Sequence, residues 1–169
     1  MFTEELKSDA EGLMLALRQR RLIIATAESC TGGLIAAVLT DGPGASDVFD
    51  RGFVTYSIAA KMETLGVTDE AIASFGAVSR EVAEAMAAGV LAQSRADVSV
   101  AVTGLAGPGG GTALKPVGLV HIAAARRGGA AVHEECRFGS VPRSGIREQA
   151  ARAALTLVRR LIEAGEDTA

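Results

Sequence analysis

The run Thr26-Ala27-Glu28-Ser29-Cys30-Thr31-Gly32-Gly33 carries the most chemistry in this chain. It lies where an apolar stretch, Leu22-Ile23-Ile24-Ala25, hands over to a helical pattern at Leu34 to Leu39. Small hydroxyls and paired glycines at a strand-to-helix switch leave backbone N–H groups free to face a developing oxyanion or a phosphate. Ser29 could cap the following helix, as serines commonly do. It could also be a nucleophile, if a base takes its proton, and the two roles are compatible. His121 and His133 fall inside strand-like segments, so a Ser-His-Asp triad is not expected. Lys61 is the better candidate base, one turn past the second strand and on the same edge as Ser29. A lysine titrates near ~10.4, so it must be lowered by burial or nearby positive charge before it can accept a proton. A solvated lysine on a short helix is the ordinary alternative.

Other residues group around that pair. Tyr56, the only tyrosine, ends the second strand and could orient the lysine or relay a proton, or be an edge aromatic. Thr103 ends the third strand and could position substrate, donate to an oxyanion or merely close a turn. Cys30 is a rival nucleophile, but alternation along the segment turns it toward the core. Gly107-Pro108-Gly109-Gly110-Gly111 resembles a phosphate cradle without the Gly-Lys-Ser/Thr ending of a Walker loop, and Lys115 comes too late to supply it. A flexible lid, or backbone that approaches a ligand closely, is the expectation there. Arg143 and Arg147, in the first turns of the last helix, could clamp a phosphate or form a solvated face.

Composition narrows the classes. The chain has 169 residues, enough for one domain with a real core. The net charge of −3, with no basic block or aromatic stripe, argues against nucleic acid as the main ligand. No apolar run approaches the ~18 residues of a membrane span. The acidic, amphipathic start Met1-Phe2-Thr3-Glu4-Glu5-Leu6 lacks the regions of a signal peptide, so a cytoplasmic protein is expected. Cys30 and Cys136 make no disulfide framework, and the two histidines lack helical metal-ligand spacing, so no metal site or cofactor is expected.

The elements that must position these residues follow from periodicity. Leu6, Ala10, Leu13 and Leu17 recur at helical spacing. Residues 21–28 read as a buried strand and 31–40 as a helix stopped by Asp41-Gly42-Pro43-Gly44. Residues 48–56 read as a strand, followed by a short helix capped by Ser57 and ended by Gly66, then a weaker helical turn over 69–74. Ser79 caps a helix carrying Val82, Met86 and Val90. Val98, Val100 and Val102 mark a third strand, and 104–116 a glycine-rich loop. Residues 117–125 and 130–138 read as a hairpin around Arg126-Arg127-Gly128-Gly129, and a last helix runs over 142–164. Strands alternating with helices imply parallel pairing with right-handed crossovers. The loop before the fourth strand holds no helix, so that strand turns back antiparallel. The expected fold is α/β, a three-layer α/β/α sandwich with a mixed, mostly parallel five-stranded sheet. Ligands bind such sheets beyond the carboxyl ends of the parallel strands, where Glu28-Ser29, Thr55-Tyr56 and Thr103-Gly104 converge.

Taken in order, several runs resemble the CinA C-terminal domain family, including its stand-alone nicotinamide-nucleotide amidases. They are residues 26–33, Arg51-Gly52-Phe53-Val54-Thr55-Tyr56-Ser57, Ala60-Lys61, Leu65-Gly66-Val67, Gly76-Ala77-Val78-Ser79, Ala101-Val102-Thr103-Gly104, residues 107–111 and Lys115-Pro116-Val117-Gly118. The resemblance covers nearly the whole chain and implies a single domain over 1–169, without the upstream domain of longer members. It implies hydrolysis of the carboxamide of nicotinamide mononucleotide to nicotinate mononucleotide and ammonia, by a Ser/Lys mechanism without metal or cofactor; the alternative is a nucleotide-binding module without turnover, or an interaction module in DNA uptake or repair suggested by the competence associations of CinA relatives. The family serine falls on Ser29, its lysine on Lys61, its site tyrosine and threonine on Tyr56 and Thr103, and an arginine opening the last helix on Arg143. On this basis Ser29, Lys61 and Tyr56 are expected to be catalytic. Substrate is expected to meet Cys30, Thr31, Gly32, Gly33, Thr103, Gly104 and Arg143, with the amides of 30–33 receiving the oxyanion. A small nucleotide is the expected partner, with no nucleic acid and no membrane. A homodimer is expected from family behaviour. Ile58 stands where the family usually has Asn, and Val141-Pro142 where it usually has Gly-Asp, which bears on how Arg143 is placed.

Overall fold

The computed structural model describes residues 2–164. Five strands form one sheet in the order β2-β1-β3-β4-β5, where β1 is Ile24–Glu28, β2 Phe49–Val54, β3 Val98–Gly104, β4 Leu119–Arg126 and β5 Ala131–Arg137. β1 pairs parallel with β2 and with β3, while β4 runs antiparallel to β3 and to β5. The helices are α1 (Glu4–Gln19), α2 (Leu34–Leu39), α3 (Ile58–Leu65), α4 (Asp69–Phe75), α5 (Arg80–Ala92) and α6 (Arg143–Ala164). The three-layer α/β/α architecture expected from the sequence is the one observed.

The layers follow from which strand residues face which side. Ile24, Val98, Val100, Val102, Val120 and Ile122 pack against Leu6, Leu13 and Leu17 of α1, Ile35 and Leu39 of α2, and Ile146, Leu155 and Val158 of α6, all buried. The opposite face is made of small residues, Ala25, Ala27, Ala101, Ala123 and Ala125, and receives Val82, Met86 and Val90 of α5 with Leu65 of α3. Small strand residues let α5 lie close to the sheet. α3 lies close to α5 at Gly89, where an added Cβ would collide with the Leu65 carbonyl oxygen. That contact holds the helix bearing Lys61 against the core.

Helix starts obey local capping rules. The side chains of Thr3, Ser57, Thr68 and Ser79 accept from N–H groups of the first turns of α1, α3, α4 and α5. α2 departs from this pattern: it begins at Leu34, three residues later than its sequence pattern predicts, and the residue before it, Gly33, offers no capping side chain. Gly32 and Gly33 have φ of 59° and 95°, and this left-handed pair bends the chain out of helical geometry before it can start. β2 likewise ends at Val54, which leaves Thr55 and Tyr56 in the connection to α3.

Candidate active site

The parallel strands end side by side, with Glu28 paired to Val54 on one flank and to Val102 on the other. The residues that follow them, Ser29 and Thr55, therefore emerge at one edge of the sheet beside Thr103. Lys61 comes to the same point from the first turns of α3. Its Nζ lies 3.0 Å from Ser29 Oγ and donates to the Thr55 carbonyl at 2.8 Å. Lys61 is 2% exposed and Ser29 8%. Both hydrogen-bond partners of the amine are neutral oxygens, and burial pulls its pKa below the ordinary lysine value. A neutral amine keeps two N–H groups and one lone pair, so it can hold the Thr55 carbonyl and still accept the Ser29 proton.

Cys30 does not compete. Burial pushes its thiol up to about 11, so almost none is thiolate near neutral pH. It nonetheless lines the cavity above Ser29, a space of about 250 Å³ bounded also by Tyr56, Ile58, Ala77, Val78, Thr103, residues 104–107, Gly109 and Arg143. A second concavity of about 220 Å³, between α1 and the Gly42-Pro43 turn, holds Glu11 and Arg18 but no nucleophile.

Several expected contacts are arranged differently. Glu28, 1% exposed, accepts from the N–H groups of Gly33 at 3.2 Å, Ile35 at 3.0 Å and Ala36 at 2.8 Å. The carboxylate therefore caps α2, and Ser29 does not. The Gly32 N–H turns back to the Ser29 carbonyl at 3.0 Å, so neither glycine amide faces the cavity as an oxyanion donor. Thr31 is buried, its carbonyl accepts from Arg147 Nη2 at 2.8 Å, and it is not among the cavity-lining residues. The Cys30 N–H stands beside Ser29, donates to no backbone carbonyl among the described residues and interacts with its own Sγ.

Thr103 lines the cavity, but its hydroxyl donates to the Ala77 carbonyl at 2.7 Å. Its single proton is engaged there, so toward the cavity the oxygen can only accept. Tyr56 is 58% exposed and its hydroxyl accepts from Arg143 Nη2 at 2.7 Å. The carbonyl of Thr55, rather than Tyr56, orients Lys61. Arg143 also donates from Nη1 to the Gly107 carbonyl at 2.7 Å. It sits on the cavity rim despite the Val141-Pro142 departure, because it opens α6 at the same edge. Arg147, one turn on, is directed at the nucleophile turn instead.

Sequence reasoning missed the role of Glu28. A carboxylate closing an all-buried strand was a usable signal, since such a group must find several donors. His121 and His133 stack across β4 and β5, with Nδ1 of the first 3.0 Å from Nε2 of the second. Among the described residues no cluster of three or more metal-ligating side chains occurs, and no helix is long and apolar enough to cross a membrane.

Comparison with known proteins bears on the family and the fold. A model of the CinA C-terminal domain family matches residues 6–162. A CinA-like protein of Akkermansia muciniphila is 60% identical over 113 residues, 67% of this chain and 27% of that protein. A CinA-like protein of Chloroherpeton thalassium is 49% identical over 150 residues, 88% of this chain and 36% of that protein. The crystal structure of the competence/damage inducible protein CihA from Agrobacterium tumefaciens superposes with a TM-score of 0.93 at 49% identity, covering 95% of this chain and 98% of that one. The chain thus spans about a third of the length of the curated relatives it matches.

Proposed function

The chain belongs to the CinA C-terminal domain family, and from that premise we propose that it is an amidase. It hydrolyses the carboxamide of nicotinamide mononucleotide to nicotinate mononucleotide and ammonia. The observation that carries this reading is the buried amine of Lys61, 3.0 Å from Ser29 Oγ at the floor of a cavity. That pairing meets the geometric requirement for a nucleophile and its general base.

Neutral Lys61 takes the Ser29 proton as Oγ attacks the amide carbon. The Cys30 N–H faces the developing oxyanion. The Lys61 ammonium then gives its proton to the departing nitrogen, which leaves as ammonia, and the acyl group remains on Ser29. Water, deprotonated by Lys61 in the second half, attacks the ester and releases the carboxylate with Ser29 restored. Arg143, a cationic side chain on the rim, meets the phosphate of the nucleotide.

The test is ammonia release from nicotinamide mononucleotide by the wild-type protein beside Ser29→Ala and Lys61→Ala. Release by the wild type and loss in both variants is the expected result. Unchanged release in Ser29→Ala overturns the mechanism, and no release by the wild type overturns the substrate.

A further inference from the structure

Lysine is rare in this chain, occurring only at Lys7, Lys61 and Lys115, and the mechanism leaves Lys115 without a task. Its ammonium makes two short bonds far away in sequence, donating to the Phe75 carbonyl at 2.7 Å and to the Val78 carbonyl at 2.7 Å. Phe75 closes α4, so the cation lies at the carbonyl end of a helix, where positive charge is favoured. Val78 stands just before Ser79, the cap of α5. The fit is close: a Cβ on Gly76 would come 3.0 Å from Nζ. The loop side of the lysine is tied as well. The Thr112 N–H donates to the Lys115 carbonyl at 2.8 Å, and the Lys115 N–H to Thr112 Oγ1 at 3.0 Å. No carboxylate forms an ion pair with Lys115 among the described residues.

The segments that Lys115 joins are opposite walls of the cavity. Ala77 and Val78 form one, and residues 105–107 with Gly109 form the other. The Ala77 carbonyl also sets the direction of the Thr103 hydroxyl. We infer that Lys115 is a positioning residue for substrate: its ammonium clamps the α4–α5 connection to the glycine-rich loop and so sets the width of the cleft above Ser29, without touching substrate itself. The choice of ligand in the test rests on the amidase reading; the clamp does not. Ser29 and Lys61 are carried by β1 and α3, outside the clamped segments. Loss of the clamp therefore weakens binding and leaves the nucleophile reactive.

The experiment has three readouts. Affinity for nicotinamide mononucleotide is measured by calorimetry in Ser29→Ala, with and without Lys115→Met. The rate at which a small fluorophosphonate labels Ser29 is measured in Lys115→Met alone. Amide hydrogen exchange of residues 76–78 and 105–117 is followed without ligand. Affinity is expected to fall about tenfold, since two charge-assisted bonds are lost, while labelling stays within about threefold of wild type. Both segments are expected to exchange about tenfold faster. Lys115→Arg, which keeps a cation with several donors, is expected to restore protection. Unchanged exchange in both segments overturns the clamp, and labelling that falls in step with affinity reduces Lys115 to a general structural role. If the Ser29→Ala parent does not bind the nucleotide, the functional reading fails, and exchange alone decides the clamp. Should Lys115→Met fail to fold, Lys115→Gln, which retains one donor, is measured in the same way.

Discussion

The floor and the rim of the cavity are built on different principles. At the floor, Ser29 and Lys61 are buried and each is carried by an element locked into the core, β1 on one side and α3 against α5 on the other. At the rim, Arg143 and Tyr56 are exposed and hold each other and the glycine-rich loop through side-chain contacts alone. Burial is what lowers the Lys61 pKa, so an amine that is to act as a base must sit where packing excludes water. Recognition of a charged ligand needs the reverse: solvated groups whose present partners, a tyrosine hydroxyl and a carbonyl, can be exchanged for a phosphate. Damage to the floor should therefore appear in turnover and damage to the rim in affinity.

Breaking the floor has the largest expected effect. Lys61→Met keeps the length and apolar stem of the side chain but removes the base. The fold should persist, as judged by circular dichroism, while kcat falls by about 10³-fold or more. In the wild type, kcat/KM should decline as pH falls through the folded Lys61 value, because protonation removes the lone pair. Gly89→Ala attacks the same pair from a distance. Its Cβ meets the Leu65 backbone, so α3 must shift, and overpacking of this kind costs about 1–3 kcal/mol. Activity should fall about 10- to 100-fold, since small displacements of catalytic groups are costly, with a lowered unfolding midpoint in thermal melts. Arg143→Gln tests the rim. KM for the nucleotide should rise about tenfold with kcat changed by less than about threefold, the signature of lost uniform binding.

The smallest effect belongs to the stacked histidines, which lie outside the cavity. Both have pKa values lowered chiefly by burial, with additional lowering at His121 from His133 and at His133 from Arg80. The unfolded chain therefore binds protons at these sites more readily than the fold does. Their stabilising effect is complete above the unfolded value near ~6.5 and is lost as pH falls below it. Thermal melts between about pH 7 and about pH 5 should show a drop in midpoint that is reduced in His133→Asn.

How far residues alone could foretell this arrangement depends on what sets each feature. The sheet and its two helical layers were readable, because Val98, Val100 and Val102 alternate with small residues and the helices carry regular apolar spacing. The placement of Ser29 near Lys61 followed from two strand ends sharing one edge, reinforced by the family resemblance. The direction of backbone N–H groups was not readable. It is decided by the left-handed geometry at Gly32 and Gly33, which the sequence permits without requiring. The partners of Tyr56, Thr103 and Lys115 were hidden for another reason. Each is a contact between segments distant in sequence, and no local pattern encodes which carbonyl a hydroxyl or ammonium will meet. Cys136 illustrates the same limit: its thiol, pushed up to about 12 by burial and the neighbouring Glu134, is as inert as Cys30.

The claim on which the account stands is that the Lys61 amine loses its charge at ordinary pH. Carbon-13 NMR of protein labelled only at lysine measures it directly, because the chain has just Lys7, Lys61 and Lys115 to assign. The Lys61 signal, identified by its disappearance in Lys61→Met, is predicted to titrate well below the ~10.4 of a free lysine side chain. A titration at or above that value would contradict the account.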